Sequence, residues 1–338
     1  MSNIFIKLTF VSGLRKIVLD EIKKYPEFRV VEEGEAEIYL ELVSNLKIIY
    51  DLRSIINVYL VKRDNKLNPH FVSKHKSTLE ELITIVLKES GEKFNTFKLS
   101  CAGPESQEVH EIKNFIINTY KLAETEVADM EIFIGKQDDL WEIGVRLTQR
   151  PLSLRKYKIE NIKGGLNPTI AYAMNTFCDF NHTESYLNIF SGSGTLLIEA
   201  GLSNSKIKLV GFDINGKSNA MAVQNIKKAG LIKSIQLKTA DVLNNPDLGK
   251  FNVITSDLPF GMQISKGEDL EKLYKHFINY CEEIINPMGT LIAYTTEHKL
   301  LNKILIQSKF SIIKTLELKI STITNAYIYP KIFVCKNI

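Results

Sequence analysis

Cysteine and histidine are scarce in this chain, and their spacing rules out the usual metal signatures. Four cysteines, Cys101, Cys178, Cys281 and Cys335, stand far apart without a C-x-x-C pair. They read as reduced thiols, and no zinc site is expected. Six histidines are scattered, none with a second histidine at helical ligand spacing, so a metal cofactor is not expected either. No segment is apolar over the length that crosses a bilayer, and residues 1–10 alternate instead of forming the apolar stretch of a secretory signal. We therefore expect no membrane partner and a cytoplasmic location. Charge of one sign is lacking too: 43 basic against 39 acidic residues leave +4, which neither requires nor forbids a polyanionic partner. Repeats and low-complexity tracts are absent.

What is present is an ordinary globular composition, 44% hydrophobic and 24% charged, spread over 338 residues. That length exceeds one core, so two or three domains are expected. Basic residues cluster twice. Lys62, Arg63 and Lys66 follow a strand pattern; Arg150, Arg155, Lys156, Lys158 and Lys163 surround Tyr157 in a polar segment. Such clusters are commonly solvated faces, and the second has an equal claim to a nucleic-acid contact because it leads into the chain's last domain.

Periodicity sorts the N-terminal part into two small α+β units. Ile4, Ile6, Leu8 and Phe10 alternate as a strand, a helix follows Ser12-Gly13, and strands at 28–31, 36–40 and 55–61 with a short helix at 46–52 complete a β-α-β-β-α-β order, the ferredoxin-like pattern. This unit is assigned residues 1–66. Residues 67–149 hold helices at 77–88 and 106–122, a strand at 97–101, and a hairpin formed by 130–134 and 140–147, with Trp141 expected in its core. Residues 150–166 are the expected linker. From 167 to 338, short apolar strands alternate with helices, which predicts a mostly parallel, doubly wound α/β sheet of Rossmann-like type closed by an antiparallel pair at 312–320 and 326–334.

In such a sheet ligands bind beyond the carboxyl ends of the strands. The first end reads Asn188-Ile189-Phe190-Ser191-Gly192-Ser193-Gly194-Thr195. Gly192 and Gly194 would let a ligand touch backbone, but the third glycine of a dinucleotide fingerprint is missing. Asp213 lies 213 − 192 = 21 residues past the first glycine, a spacing suited to a ribose acceptor. Asp241 ends the next strand and could accept an adenine amine. Asp257-Leu258-Pro259-Phe260 ends the fourth, combining an acceptor, a rigid turn and a flat ring; the same four residues could also form a plain strand-to-loop turn.

Taken together, residues 165–300 resemble a class I S-adenosylmethionine-dependent methyltransferase of the amino-methylating type. Ser191 to Thr195 is similar to the cofactor loop, Asp213 to the ribose acid, Asp241 to the adenine acid, and Asp257 to Phe260 to the (D/N/S)-P-P-(Y/F) catalytic motif. Leu258 with Gly261, and Gly165-Leu166-Asn167-Pro168-Thr169-Ile170-Ala171, resemble the THUMP-domain RNA methyltransferases that make N2-methylguanosine in tRNA. That family places a ferredoxin-like unit and a THUMP unit before its catalytic domain, so the resemblance spans nearly the whole chain.

The resemblance implies a tRNA guanine-N2 methyltransferase acting as a monomer on a flipped-out guanine, expected in the acceptor-stem region, with S-adenosylmethionine as cofactor and tRNA or another structured RNA as partner. It implies catalytic roles for Asp257, Leu258, Pro259 and Phe260. The cofactor set it implies is Thr169, Asn188, Ser191, Gly192, Gly194, Thr195, Asp213, Ile214, Asp241, Val242 and Asp257. Two positions depart from the family: Asn188 stands where an acid is usual, which should weaken the hold on a cationic cofactor, and Ser191 replaces a cysteine. The alternatives are guanine-N2 of ribosomal RNA, adenine-N6 of RNA or DNA, and a noncatalytic RNA-binding protein on a degenerate methyltransferase fold. A nicotinamide oxidoreductase ranks below these.

Overall fold

The computed structural model describes residues 4–64, 67, 71–137, 140–204, 206–260, 268–322 and 326–337. The chain divides into two compact units, one of residues 4–10 with Val18–Leu154 and one of Val11–Ile17 with the residues from Arg155 onward.

The first unit is built on β1 (Ile4–Phe10), α1 (Arg15–Ile22) from Val18 onward, β2 (Val30–Glu33), β3 (Glu37–Glu41), β4 (Ile55–Asp64), α2 (Val72–Glu89), β5 (Thr96–Cys101), α3 (Gln107–Tyr120), β6 (Ala123–Glu124), β7 (Met130–Gln137) and β8 (Leu140–Arg146). The two expected N-terminal segments share one eight-stranded sheet, order β2-β3-β1-β4-β8-β7-β5-β6, because β4 of the first pairs with β8 of the second. Alternation buries Ile6 and Leu8 of β1 and Leu60 of β4, while α2 lies against β4 and β8 through its Leu79, Leu82, Ile83 and Val86 stripe. The odd-numbered face of β1 and β4 carries an ion-pair network: Lys7 Nζ and Arg63 Nε reach Glu142 at 2.7 and 2.9 Å, and Tyr39 OH donates to the same carboxylate at 3.0 Å. Lys62 pairs with Glu81. Of the first basic cluster, Lys62 and Arg63 thus answer carboxylates of their own unit, and Lys66 lies outside the described residues. Trp141 is half-buried, paired across the sheet with Asp64 and Lys136.

The second unit contains α4 (Pro168–Asn175), β9 (Ser185–Ile189), α5 (Thr195–Ser203), β10 (Lys208–Asp213), α6 (Gly216–Lys228), β11 (Ile235–Thr239), β12 (Phe251–Asp257), α7 (Glu268–Ile284), β13 (Ile285–Thr295), α8 (His298–Leu305), β14 (Phe310–Glu317), β15 (Ile320–Ser321), β16 (Tyr327–Ile328) and β17 (Lys331–Asn337). Seven strands form a sheet in the order β11-β10-β9-β12-β13-β17-β14, parallel except where β17 runs antiparallel to β13 and β14. Residues such as Leu187, Phe212, Ile254 and Phe277 form its core. The strand order reverses between β9 and β12, and a crevice opens at such a reversal. The closing pair is set by β14 and β17, with a small β15–β16 ribbon between them.

Candidate active site

β9 is buried along Tyr186 to Ile189. Its chain leaves the sheet at Phe190, which holds φ 58°, followed by Gly192 at 50° and Gly194 at 80°. A bulky residue in the left-handed region costs about 1–2 kcal/mol, so this turn is bent against local preference before α5 begins at Thr195. The loop is held by its own backbone: Ser191 N donates to Phe212 O at 3.0 Å, and Gly194 N to Ser191 O at 2.8 Å. Asp213 Oδ2 accepts the Gly192 N–H at 2.9 Å, and Oδ1 accepts from Asn215 N at 2.9 Å. The acid 21 residues past the first glycine therefore braces the loop, and its remaining lone pairs stay available to a ligand. Ile214 beside it is exposed.

The basic segment expected as a linker folds onto this loop from Arg155 onward. Arg155 Nε and Tyr157 OH both reach Oε1 of the fully buried Glu199 on α5, at 3.1 and 2.7 Å. Asn225, buried on α6, accepts Glu160 N at 2.9 Å, donates to Glu160 O at 3.0 Å, and donates to Ser193 O at 3.1 Å. One amide thus ties the strap and the glycine loop together. Lys158 Nζ donates to Leu166 O at 2.7 Å. Sequence reasoning missed Glu199 and Asn225; the one visible signal is a carboxylate inside the apolar run Leu196-Leu197-Ile198-Glu199-Ala200, which must find a partner when buried.

Strap, loop and sheet edge enclose a cleft lined by residues 162–166, Asn188, Ser191 to Ser193, Thr195, Leu196 and Asp257. Of the expected site residues, Asn188, Ser191, Gly192, Thr195 and Asp257 meet here. Gly194 turns the loop behind them. Thr169 is fully buried in the first turn of α4, with its hydroxyl donated to Asn167 Oδ1 at 2.8 Å. Asp241 caps a 3-10 turn, accepting Leu243 N at 3.0 Å, and the Val242 side chain belongs to the core. These last two close β11 farther along the same edge.

Among the described residues, three buried acceptors around the cleft have no hydrogen-bond partner: Asn188 Oδ1, Ser191 Oγ and Asp257 Oδ1. The Asn188 amide nitrogen lies 3.1 Å from Thr255 O and 3.3 Å from Ile189 O. Both neighbours are acceptors, so the nitrogen must be the atom that faces them. Burial pushes the Asp257 carboxyl up to about 7, with the Lys158 ammonium opposing the rise. Leu258 N donates to Tyr294 O at 2.9 Å, and Pro259 O accepts from Tyr274 OH at 2.9 Å, itself 2.7 Å from Thr295 Oγ1. The Asp-Leu-Pro-Phe turn is thereby fixed at two points; Phe260 is half-buried beside it, and Gly261 lies outside the described residues.

Unsatisfied buried acceptors cost about 1–3 kcal/mol each until a donor arrives. A cationic, amine-bearing molecule satisfies them, and S-adenosylmethionine carries both an ammonium and a sulfonium. The acceptor set and the open backbone at Gly192 fit that cofactor. Among the described residues no group of three His, Cys, Asp or Glu side chains could hold a metal ion.

Residues 155–325 match the model of the family described as UPF0020, RMKL-like, methyltransferase domain. A U6 snRNA (guanine-N(2))-methyltransferase THUMPD2 from Bos taurus is 29% identical over 171 residues, covering 50% of this chain and 32% of that protein. A tRNA (guanine(6)-N2)-methyltransferase from Archaeoglobus fulgidus is 25% identical over 202 residues, 52% of this chain and 48% of that protein. The matches thus span about a third to a half of these relatives' lengths. The crystal structure of TrmN from Thermus thermophilus shares the fold, with a TM-score of 0.78 at 20% identity over 99% of this chain and 100% of that one.

Proposed function

The chain belongs to the UPF0020, RMKL-like methyltransferase family, and from that premise we propose that it methylates the exocyclic N2 amine of a guanine in structured RNA, with tRNA as substrate and S-adenosylmethionine as methyl donor. The observation that carries the reading is the set of three unpartnered buried acceptors, Asn188, Ser191 and Asp257, around one cleft at the strand-order reversal. The activities for which the relatives are named, guanine-N2 methylation of U6 snRNA and of tRNA, support the choice of amine.

When bound, S-adenosylmethionine supplies an electrophilic methyl carbon on a sulfonium centre. The strap and the loop at Ser191 to Thr195 would hold its amino-acid end, with Asn188 Oδ1 as a neutral acceptor. Asp213 and Ile214 would hold the ribose, Asp241 and the Val242 backbone would hold the adenine, and Thr169 would support the cleft from α4. A guanine N2 lone pair is delocalised into the ring, so the residues facing it must restore its nucleophilicity. Asp257 Oδ1 and the Leu258 carbonyl accept the two amine protons; Pro259, braced by Tyr274, keeps that carbonyl in place, and Phe260 stacks on the base. The methylated amine would carry a surplus proton, and Asp257 Oδ1 would take it. A carboxyl poised near 7 suits that brief protonation. Alignment supplies much of the remaining barrier reduction.

A paired base cannot enter such a cleft and must be flipped out at a cost of a few kcal/mol. The ferredoxin-like segment 1–66 and the THUMP segment 67–149 recognise the RNA by shape and backbone, and the protein acts as a cytoplasmic monomer. Among the described residues no helix is long and apolar enough to cross a membrane. The test is to incubate the chain with unmodified tRNA transcripts and labelled cofactor, then identify the methylated nucleoside by mass spectrometry. N2-methylguanosine is the expected product. N6-methyladenosine would move the assignment to the adenine alternative, and absence of cofactor binding would support a degenerate fold.

A further inference from the structure

Beside the cleft, on the side away from the cofactor loops, β14 and β17 extend past the sheet as the β15–β16 ribbon. Register places its base. Asp257 pairs with Tyr294, and the next residue, Thr295, pairs with Lys331, which also pairs with Glu317. The ribbon thus rises from the edge that carries Asp257, two strands or roughly 10 Å to one side. Ile320 pairs with Ile328 and Ser321 with Tyr327, so alternation puts Lys319, Ser321, Tyr327 and Tyr329 on one face. Tyr327 is 54% and Tyr329 47% exposed. Lys319 Nζ stands 4.5 Å over the Tyr327 ring, and the segment from Leu318 to Pro330 contains no acidic residue.

A two-stranded ribbon this short is not stable unaided. Its base is held by the fully buried Leu318, whose N–H donates to Pro330 O at 2.9 Å, and by Lys319 N donating to Ser12 O at 3.1 Å. Gly13, at φ +100°, lets that segment lie against β14: a Cβ there would sit 2.2 Å from Glu317 O. Two exposed aromatic rings with a lysine are therefore held on the sheet edge that carries Asp257. Resting on the RNA reading above, we propose that this ribbon is the arm that receives the nucleotides next to the target base, with Tyr327 and Tyr329 stacking on bases and Lys319 meeting a phosphate. Aromatic faces accept any base, and a ribbon with a lysine and no acid suits a phosphate backbone. The arm contacts substrate beside the reaction and takes no part in the methyl transfer.

The experiment uses the full chain with unmodified tRNA transcripts. Tyr327→Ala with Tyr329→Ala should lower kcat/KM for RNA at least tenfold, leaving the Kd for S-adenosylmethionine and the Tm unchanged. Tyr327→Trp with Tyr329→Trp should keep activity, and titration with RNA should quench its added fluorescence. Tyr327→Leu with Tyr329→Leu should behave as the alanine variant, and Lys319→Ala should reduce the salt dependence of RNA affinity by about one unit of slope. Alanine variants within twofold of the parent would overturn the proposal. So would rescue by leucine, which points to apolar docking of another protein. Quenching is read without turnover, so a chain that methylates no RNA refutes the function while the arm is still judged by quenching.

Discussion

Asn188→Asp is the sharpest perturbation, because it restores the acid usual in related cofactor loops and so separates two readings of this residue. If Asn188 were a weakened cation ligand, the acid would tighten cofactor binding. The structure gives the amide a second task besides presenting Oδ1 to the cleft. Its amide nitrogen donates to Thr255 O and Ile189 O, joining the strand that ends in the glycine loop to the strand that ends in Asp257. A carboxylate cannot donate; it would lose two hydrogen bonds at about 0.5–1.5 kcal/mol each and face two carbonyl oxygens while almost fully buried.

Burial raises the neighbouring Asp257 from 3.8 to about 7. Burial at position 188 pushes a carboxyl there in the same direction, so its ionisation costs stability. An acid whose folded pKa lies above its unfolded value is stable while protonated and loses stability as pH rises. The variant should therefore differ from the parent by only about 1 kcal/mol below about pH 4, where the acid is protonated in both states, and fall progressively behind as pH rises above that. Denaturant titrations of both proteins across pH 4 to 8, with calorimetric cofactor binding, measure this. Equal stability throughout together with tighter cofactor binding would refute the bridging role.

Four further outcomes follow from the site. Asp257→Ala should abolish methyl transfer, with cofactor binding retained in calorimetry. In the parent, kcat/KM should rise with pH around 7 as Asp257 ionises to its acceptor form, and Lys158→Met should move that midpoint upward because the ammonium holding it down is gone; stopped-time assays over pH 5.5–8.5 would show it. Asn225→Ala frees both the strap and Ser193 O, and should weaken cofactor binding about tenfold, read by calorimetry. Tyr274→Phe removes the donor to Pro259 O and should lower kcat about five- to tenfold with cofactor Kd unchanged, equivalent to about 1 kcal/mol.

Much of the second unit was legible because its signals are local. Apolar runs of four to seven residues alternating with amphipathic helices specify parallel β-α units, and glycines or acids at their ends mark the ligand edge. The expected catalytic turn and the β9 loop accordingly stand at the predicted strand ends. Where signals conflicted, boundaries moved. The closing pair was expected at 312–320 and 326–334, yet the long pairing runs over Phe310–Glu317 and Lys331–Asn337, because the intervening residues make their own ribbon. The helix at His298–Leu305 was not anticipated at all. Arg155, Tyr157 and Lys158 read as a basic linker because their partners, Glu199 and Leu166 O, are distant in sequence or on the backbone.

The class of sheet, the order of its elements and the strand ends at which chemistry would sit all follow from periodicity and turn residues within a short window. Tertiary structure decided which polar atoms are paired. It spends Asp213 on the loop and Asn188 on two carbonyls, and it leaves Asp257 Oδ1 buried without a donor, raising its pKa. Hydrogen-bond satisfaction and desolvation depend on neighbours brought together from across the chain, which no local pattern encodes.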